Sequence, residues 1–457
     1  MASVEASKSA PTLSQKRILI TWLPLAASWL LMAIESPYIS AALARIEDSV
    51  RMIAAFGLAA SLSITIESPV ISLLATSTAL ARSRQNYLMI RRFTLQLIVA
   101  TTVLQFLLAW TPLFDLVVVD WMGVPSSLLA PVQLGLRLML FWSAAIAWRR
   151  FKQGILIRNG RSRSVGQGTI VRLLGSAGSA TLLAVFTDLP GIAVGALALS
   201  IGVAAEAVFA QAAAAPVVRE QFDPGMQDGK LPTLSYRELV AFHWPLAASS
   251  LLFLFTQPIV SAALARGPQP ELALAAWPLM RGLIFMSRAP EMAFPEVVIA
   301  LNEEPGSRAA LSRFSLTVGL ILSALLALVS LTPLANLYFG SVVGVDDQLA
   351  ALSTQGLALA IFIPLIMAFV TNSRGLLTAQ RTTRPQAVAM FLELITLSAV
   401  LAAGVYWRLP GIQVAAVAMT ASLAVDAIYL YFASKIPVQR NTRFSRGLAT
   451  FKFFNKE

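Results

Sequence analysis

WLPLAASWLLMAIESPYISAALAR, residues 22–45, is written a second time as HWPLAASSLLFLFTQPIVSAALAR, residues 243–266. The offset is 221, and from Pro24 to Arg45 the copies agree at 14 of 22 positions. Chance agreement in a chain this rich in Ala and Leu is roughly one position in ten, so the stretch is a duplication. The same offset pairs Pro69 with Pro290, Thr111-Pro112-Leu113 with Thr332-Pro333-Leu334, Gly123-Val124 with Gly344-Val345, and Gly154 with Gly375. Near the end it slips by one, so that Leu189-Pro190-Gly191-Ile192 matches Leu409-Pro410-Gly411-Ile412 and Glu206 falls opposite Asp426. The chain is two copies of one unit of roughly 200 residues.

The composition places that unit in a bilayer. The chain is 57% hydrophobic and 13% charged, with mean hydropathy +0.72, whereas a soluble domain carries about 25% charge. Cysteine is absent and His243 is the single histidine, which excludes disulfides, thiolate sites and a histidine-based metal cluster. The net charge of +12 fits cytoplasmic loops of a membrane protein better than a nucleic-acid surface. Residues 1–17 are polar and lack an apolar core, so no cleavable signal peptide is expected.

A helix needs about 20 apolar residues to cross a bilayer. Six such stretches fall in each copy: 18–44, 52–80, 93–112, 128–148, 165–187 and 190–214, then 238–264, 272–301, 314–337, 349–371, 386–406 and 411–433. The expected fold is all-α and integral to the membrane, with twelve transmembrane helices in two six-helix bundles, 18–214 and 238–434. A polar linker, 215–237, joins them; a tail of residues 1–17 precedes them and a basic tail, 435–457, follows. Because six is even, both copies enter from the same side and the repeats are parallel. With both termini and the linker in the cytoplasm, 27 of the 35 basic residues are cytoplasmic and only Arg45, Arg51, Arg266 and Arg408 are external. That asymmetry sets the orientation. Within the tail, residues 443–454 have the composition of a basic amphipathic helix on the inner leaflet.

Four arginines then remain within spans, Arg137, Arg172, Arg281 and Arg288, together with Glu35, Glu67, Glu206, Glu291, Glu296, Glu393 and Asp426. Each costs at least about 2.5–3.5 kcal/mol at a helix centre unless paired or hydrated, so they should face the bundle interior. The repeat adds that Glu67 is equivalent to Arg288, and Arg172 to Glu393. Equivalent positions share depth and distance from the pseudo-twofold axis. If they point inward, Glu67–Arg288 and Arg172–Glu393 form gating ion pairs across a central cleft; the alternative is pairing within each half. Arg281 and Arg288, two turns apart on one helix face, and Arg137 would suit a carboxylate or phosphate substrate, which a guanidinium binds bidentately. Glu35, beside Ser36-Pro37, and Glu67 are candidates for a coupling H+ or Na+; the alternative for Glu35 is a counter-ion of Arg281. Mid-span prolines (Pro37, Pro69, Pro258, Pro278, Pro290, Pro295, Pro364) mark helices that can kink. Asn372-Ser373-Arg374-Gly375 is expected to close the tenth span at the cytoplasmic end, as a positive-inside anchor or, alternatively, as a substrate contact at the inner mouth. No phosphate-binding loop, H-E-x-x-H or paired D-x-x-D occurs, and GQGTIVRLLG (166–175) is a loop entering a helix. Neither an enzyme nor a metal site nor a cofactor is expected.

Two parallel six-helix copies resemble the MATE-like superfamily of exporters and flippases. Trp22-Leu-Pro-Leu25, Glu47-Asp48-Ser49-Val50, Met52, Gly57-Leu-Ala59, Phe242-His-Trp-Pro-Leu-Ala247 and Pro258-Ile-Val260 are similar to the progressive ankylosis family within it. The resemblance implies a plasma-membrane protein (the inner membrane in a bacterium) exporting a small polyanion of the citrate, pyrophosphate or nucleotide class by alternating access. Its expected partners are an anionic metabolite and the bilayer, with no nucleic acid and no obligate protein partner. The alternatives are a MATE-like cation or drug antiporter, a lipid-linked sugar flippase opening laterally between helices 1 and 8, and a membrane scaffold or sensor.

Overall fold

The computed structural model describes residues 13–222, 234–304, 306–380, 382 and 384–435, and every regular element among them is helical. The first repeat holds α1 (Gln15–Leu43), α2 (Ser49–Ile66, Ser68–Ile71 and Leu73–Leu80), α3 (Arg84–Trp110), α4 (Ser126–Arg158), α5 (Arg163–Phe186) and α6 (Gly191–Gln221). The second holds α7 (Tyr236–Arg266), α8 (Pro270–Arg288, Ala289–Ala293 and Phe294–Leu301) and α9 (Ser307–Ser330). It ends with α10 (Asp347–Ala358 and Ile363–Ala379), α11 (Arg384–Tyr406) and α12 (Gly411–Lys435).

Among the described residues, ten helices are long and apolar enough to cross a membrane, and the two pieces of α10, bent by 48°, make an eleventh. The twelfth expected crossing, α8, is cut into three pieces and carries Arg281, Arg288, Glu291 and Glu296. Three helices outrun their expected ends: α4 continues to Arg158, α6 to Gln221 and α10 to Ala379. The α10 helix runs on to Ala379, so Arg374 lies inside it rather than at its end. Residues 223–233 of the linker and the 443–454 stretch lie outside the described residues.

Proline explains the breaks only in part. Pro69 and Pro290 lie at equivalent positions and each opens the piece that follows a break, as do Pro295 and Pro364. A proline has no N–H to give and its ring crowds the carbonyl four residues back. Pro37, Pro258 and Pro278 nevertheless sit in unbroken helix, so proline permits a break without forcing one.

The outer surface is apolar: Val99, Leu182, Val185, Phe186, Val208, Leu320 and Ile428 are all exposed. A soluble protein rarely shows such a continuous patch; here it faces lipid. Between helices, small residues allow close approach. A Cβ on Gly175 would lie 3.3 Å from the Cα of Gly202 on the neighbouring helix, and α2 meets α8 where a Cβ on Gly57 would lie 3.2 Å from Pro278 Cγ. Gly57 and Pro278 are repeat equivalents, so their contact marks the pseudo-twofold axis.

Two elements cross that axis. On the basic face, where α1 begins and α12 ends, Leu13 and Ile18 are buried among Phe294, Val298, Leu311 and Phe314 of the second half. Trp22 Nε1 donates to Pro290 O at 2.9 Å, and Arg17 pairs with Glu304 at 2.8 Å. Its equivalent, α7, leans on the first half: Tyr236 OH donates to Gln96 Oε1 at 2.8 Å and His243 Nε2 lies 3.1 Å from Pro69 O. On the opposite face each of these helices ends in an arginine aimed at the other half. Arg45 donates to Val342 O and Val343 O at 2.9 and 2.8 Å, and Arg266 to Met122 O at 2.9 Å and to Trp121 O. Those carbonyls close two equivalent π-helical turns, Asp115–Trp121 and Leu337–Val343, where helix ends leave carbonyls free and partly negative.

Candidate functional site

The buried charges sort by half. In the first, Arg172 on α5 holds Glu35 on α1 with both of its forked nitrogens, Nε to Oε1 at 3.0 Å. Glu206 on α6 accepts from Arg149 and, at 2.9 Å, from Gln153, both on α4. In the second half Arg374 on α10 reaches Asp426 on α12 at 2.8 Å and Glu393 on α11 at 3.8 Å.

The two expected ion pairs across the cleft are therefore absent from this conformation. Arg172 is spent on Glu35, and Glu393 on Arg374. The physical reason is lateral placement: α5 packs on α6 and α1, whereas α11 packs on α12 and α7. Equivalence guarantees equal distance from the axis, and these helices are both far from it. Glu67 and Arg288 lie on the helices that do meet, yet each turns into its own half. Glu67, at the α2 break, is buried with Oε2 unpartnered and is surrounded by Arg149, Arg150 and Arg172. Arg288 is surrounded by Glu393, Glu291 and Arg374; its Nε has no partner and one terminal nitrogen lies 3.8 Å from Met367 Sδ.

The three arginines read as one anion site do not converge. Arg137 donates to Ala109 O at 3.2 Å and lies over the Trp110 ring at 5.5 Å, exposed on the outside of α4. Arg281 shares α8 with Arg288, and no hydrogen bond or ion pair to it occurs among the described residues. Glu35, one of the two coupling candidates, is a counter-ion of Arg172. Glu291 is buried beside Arg288 with both carboxylate oxygens unpartnered.

Arg288, Arg374 and Glu393 open onto a cavity of about 300 Å³ in the second half, with the hydroxyls of Ser249, Ser250 and Thr371 on its wall. Arg374 falls at the expected cytoplasmic end of the tenth span, whereas Arg149 and Arg150 fall just past the expected end of the fourth and are not among the expected span charges. One signal pointed to them: Glu206 and Asp426 are span acids that need partners at their own depth. Among the described residues no group of three or more His, Asp or Glu is arranged to hold a metal.

No family model matches the chain, and no curated protein matches it. Solved structures do. An inward-facing multidrug resistance MATE family transporter of the MOP superfamily superposes with TM-score 0.68 at 12% identity, over 91% of this chain and 97% of that one. An outward-facing one gives 0.62 at 13% identity, over 92% of this chain and 95% of that one. A MOP superfamily transporter from Pyrococcus furiosus, described by the reverse polarity of its binding pocket and a suggested different function, gives 0.63 at 13% identity, over 93% and 98%. The all-helical architecture is thus the MATE transporter fold.

Proposed function

We propose that the protein is a secondary transporter that exports a small polyanion by alternating access between its two six-helix halves. One observation carries the substrate class: Arg288 faces the second-half cavity with a buried nitrogen that no protein group satisfies, while Arg281, on the same face two turns away, has no acid partner among the described residues. A guanidinium left unpaired within a membrane is costly, and a carboxylate or phosphate bound bidentately would relieve that cost. Arg374, already shared between Asp426 and Glu393, and the three hydroxyls would complete the anion's contacts. The neighbour described by a reversed pocket polarity supports the idea that this fold accommodates opposite charge. Citrate, pyrophosphate and nucleotides remain the class to test, in keeping with the resemblance to the progressive ankylosis family, as does insertion in the plasma membrane with both termini inside.

The test is uptake of those three anions into proteoliposomes. Arg288→Ala and Arg281→Ala should each cut uptake at least tenfold; wild-type rates in both variants would sink the anion site.

A cation antiporter is the second reading, favoured by the unpartnered carboxylate oxygens of Glu67 and Glu291 and by the multidrug neighbours. Drug efflux abolished by Glu67→Gln, with anion uptake absent, would establish it. A flippase is less well supported, because α1 and α8 touch at Trp22–Pro290 and again at Pro37–Gly282. Arg281, which no acid pairs among the described residues, argues against a mere scaffold.

A further inference from the structure

His243 and Trp22 occupy the same position of the two repeats, and each donates across the axis to the carbonyl of an equivalent proline, Pro69 and Pro290. The indole has one N–H and keeps it at every pH. The imidazole does not. His243 is buried, with Nδ1 2.9 Å from Thr76 Oγ1 and Nε2 3.1 Å from Pro69 O.

Both neighbours of the ring are best served as acceptors. Pro69 O can only accept. Thr76 has one hydroxyl proton, and its Oγ1 lies 3.0 Å from Ser72 O, to which that proton is given. Its lone pairs then face Nδ1. A doubly protonated ring donates to Pro69 and Thr76 together and leaves the Thr76–Ser72 bond intact. A neutral ring keeps the bond to Pro69 but must draw the Thr76 proton away from Ser72. Protonation therefore adds one hydrogen bond to the contact between α7 and the break of α2.

We infer that His243 is a proton-binding residue of the transport cycle, holding α7 on the α2 break when protonated and loosening it when neutral. The other groups packed on it do not titrate. From α2 come Pro69, Thr76 and Ser72, the last also meeting Ser250 of α7 at 3.2 Å; from α3 comes Phe93, its ring 4.9 Å away and nearly perpendicular. On α7 itself the adjacent Phe242 and Trp244 are exposed. No carboxylate or guanidinium among the described residues pairs with the ring. Glu67, two residues before Pro69, is faced by Arg149, Arg150 and Arg172. The arrangement gives the first half a fixed donor over α8 and the second half a titratable one over α2. Acid should then favour the conformation seen here, and release of α7 should release the proton.

The inference rests on the alternating-access reading. Its test uses the full chain in nanodiscs, where His243 is the only histidine and no cysteine is present. A ¹⁵N-histidine spectrum recorded from about pH 5 to 8, the range in which histidine ordinarily changes charge, should show the imidazole passing between its two protonation states. Spin labels on Ser162→Cys and Glu303→Cys, on the basic face of opposite halves, should report a population ratio that changes about fivefold over the same range, the weight of one hydrogen bond. In His243→Gln, whose amide still donates to Pro69 and accepts from Thr76, that change should vanish. A pH response that survives His243→Gln, or an imidazole held in one state across the range, overturns the inference. The spectrum decides alone if His243→Gln does not fold. Absent anion uptake alongside a His243-dependent pH response would sink the substrate reading and leave this one standing.

Discussion

Arg45 and Arg266 are the same residue of the two repeats, and each closes the other half's π-helical turn. Arg45 caps Val342 and Val343 while Arg266 caps Trp121 and Met122, which are themselves equivalent pairs. The duplicated SAALAR ending is thus a reciprocal clasp on the face opposite the termini. On the proposed alternating-access reading the clasp opens once per cycle, so its strength sets a population rather than a fold.

Arg45→Ala and Arg266→Ala should each weaken that clasp. Both side chains are exposed, so each is worth about 1 kcal/mol, the low end for hydrogen bonds from a charged donor. The population open on this face should rise roughly fivefold per substitution. Spin-label distances across that face would measure it, and unchanged distances in the double variant would rule the clasp out as a gate.

Gly123 and Gly344 test the same seam from the other side. Their φ values of +69° and +89° suit glycine, and a Cβ on Gly123 would stand 3.2 Å from Arg266 Cγ. Gly123→Ala should cost about 1–2 kcal/mol of backbone strain plus the contact. Combined with Arg266→Ala, only the strain should remain, so a thermal-melting cycle should be non-additive. Strict additivity would mean the arginine is not held against this turn.

Arg374 is predicted to be structural as well as functional. Removing it leaves Asp426, fully buried, without its counter-charge and Glu393 with Arg288 as its remaining cationic neighbour. Arg374→Ala should lower stability by about 3–5 kcal/mol, with Asp426→Asn much milder because the amide stays neutral. Equal melting temperatures for wild type and Arg374→Ala in detergent would contradict the pairing.

Arg137 separates the sequence pattern from the three-dimensional site. Since it lies outside, over Trp110, Arg137→Ala should leave anion uptake within about twofold of wild type, against the tenfold losses expected at Arg281 and Arg288. An equal loss at all three would restore the three-arginine site and displace the cavity of the second half.

The duplication and, roughly, the number of crossings were legible in the chain, because an offset of 221 and a 20-residue apolar period are local and periodic signals. So was the list of charges that had to be dealt with inside the membrane. The partners were not legible. Glu67 and Arg288 share a depth, yet Glu67 turns to Arg149, Arg150 and Arg172, and Arg288 to Glu393 and Glu291.

By itself, then, the sequence determined that two like bundles would stand side by side with opposite charges at matching heights. Only the tertiary structure decided which way each side chain faces. Repeat symmetry fixes a residue's height and its distance from the axis, but that distance depends on how neighbouring helices pack, and the packing placed α5 and α11 at the flanks while bringing α2 and α8 together at Gly57 and Pro278.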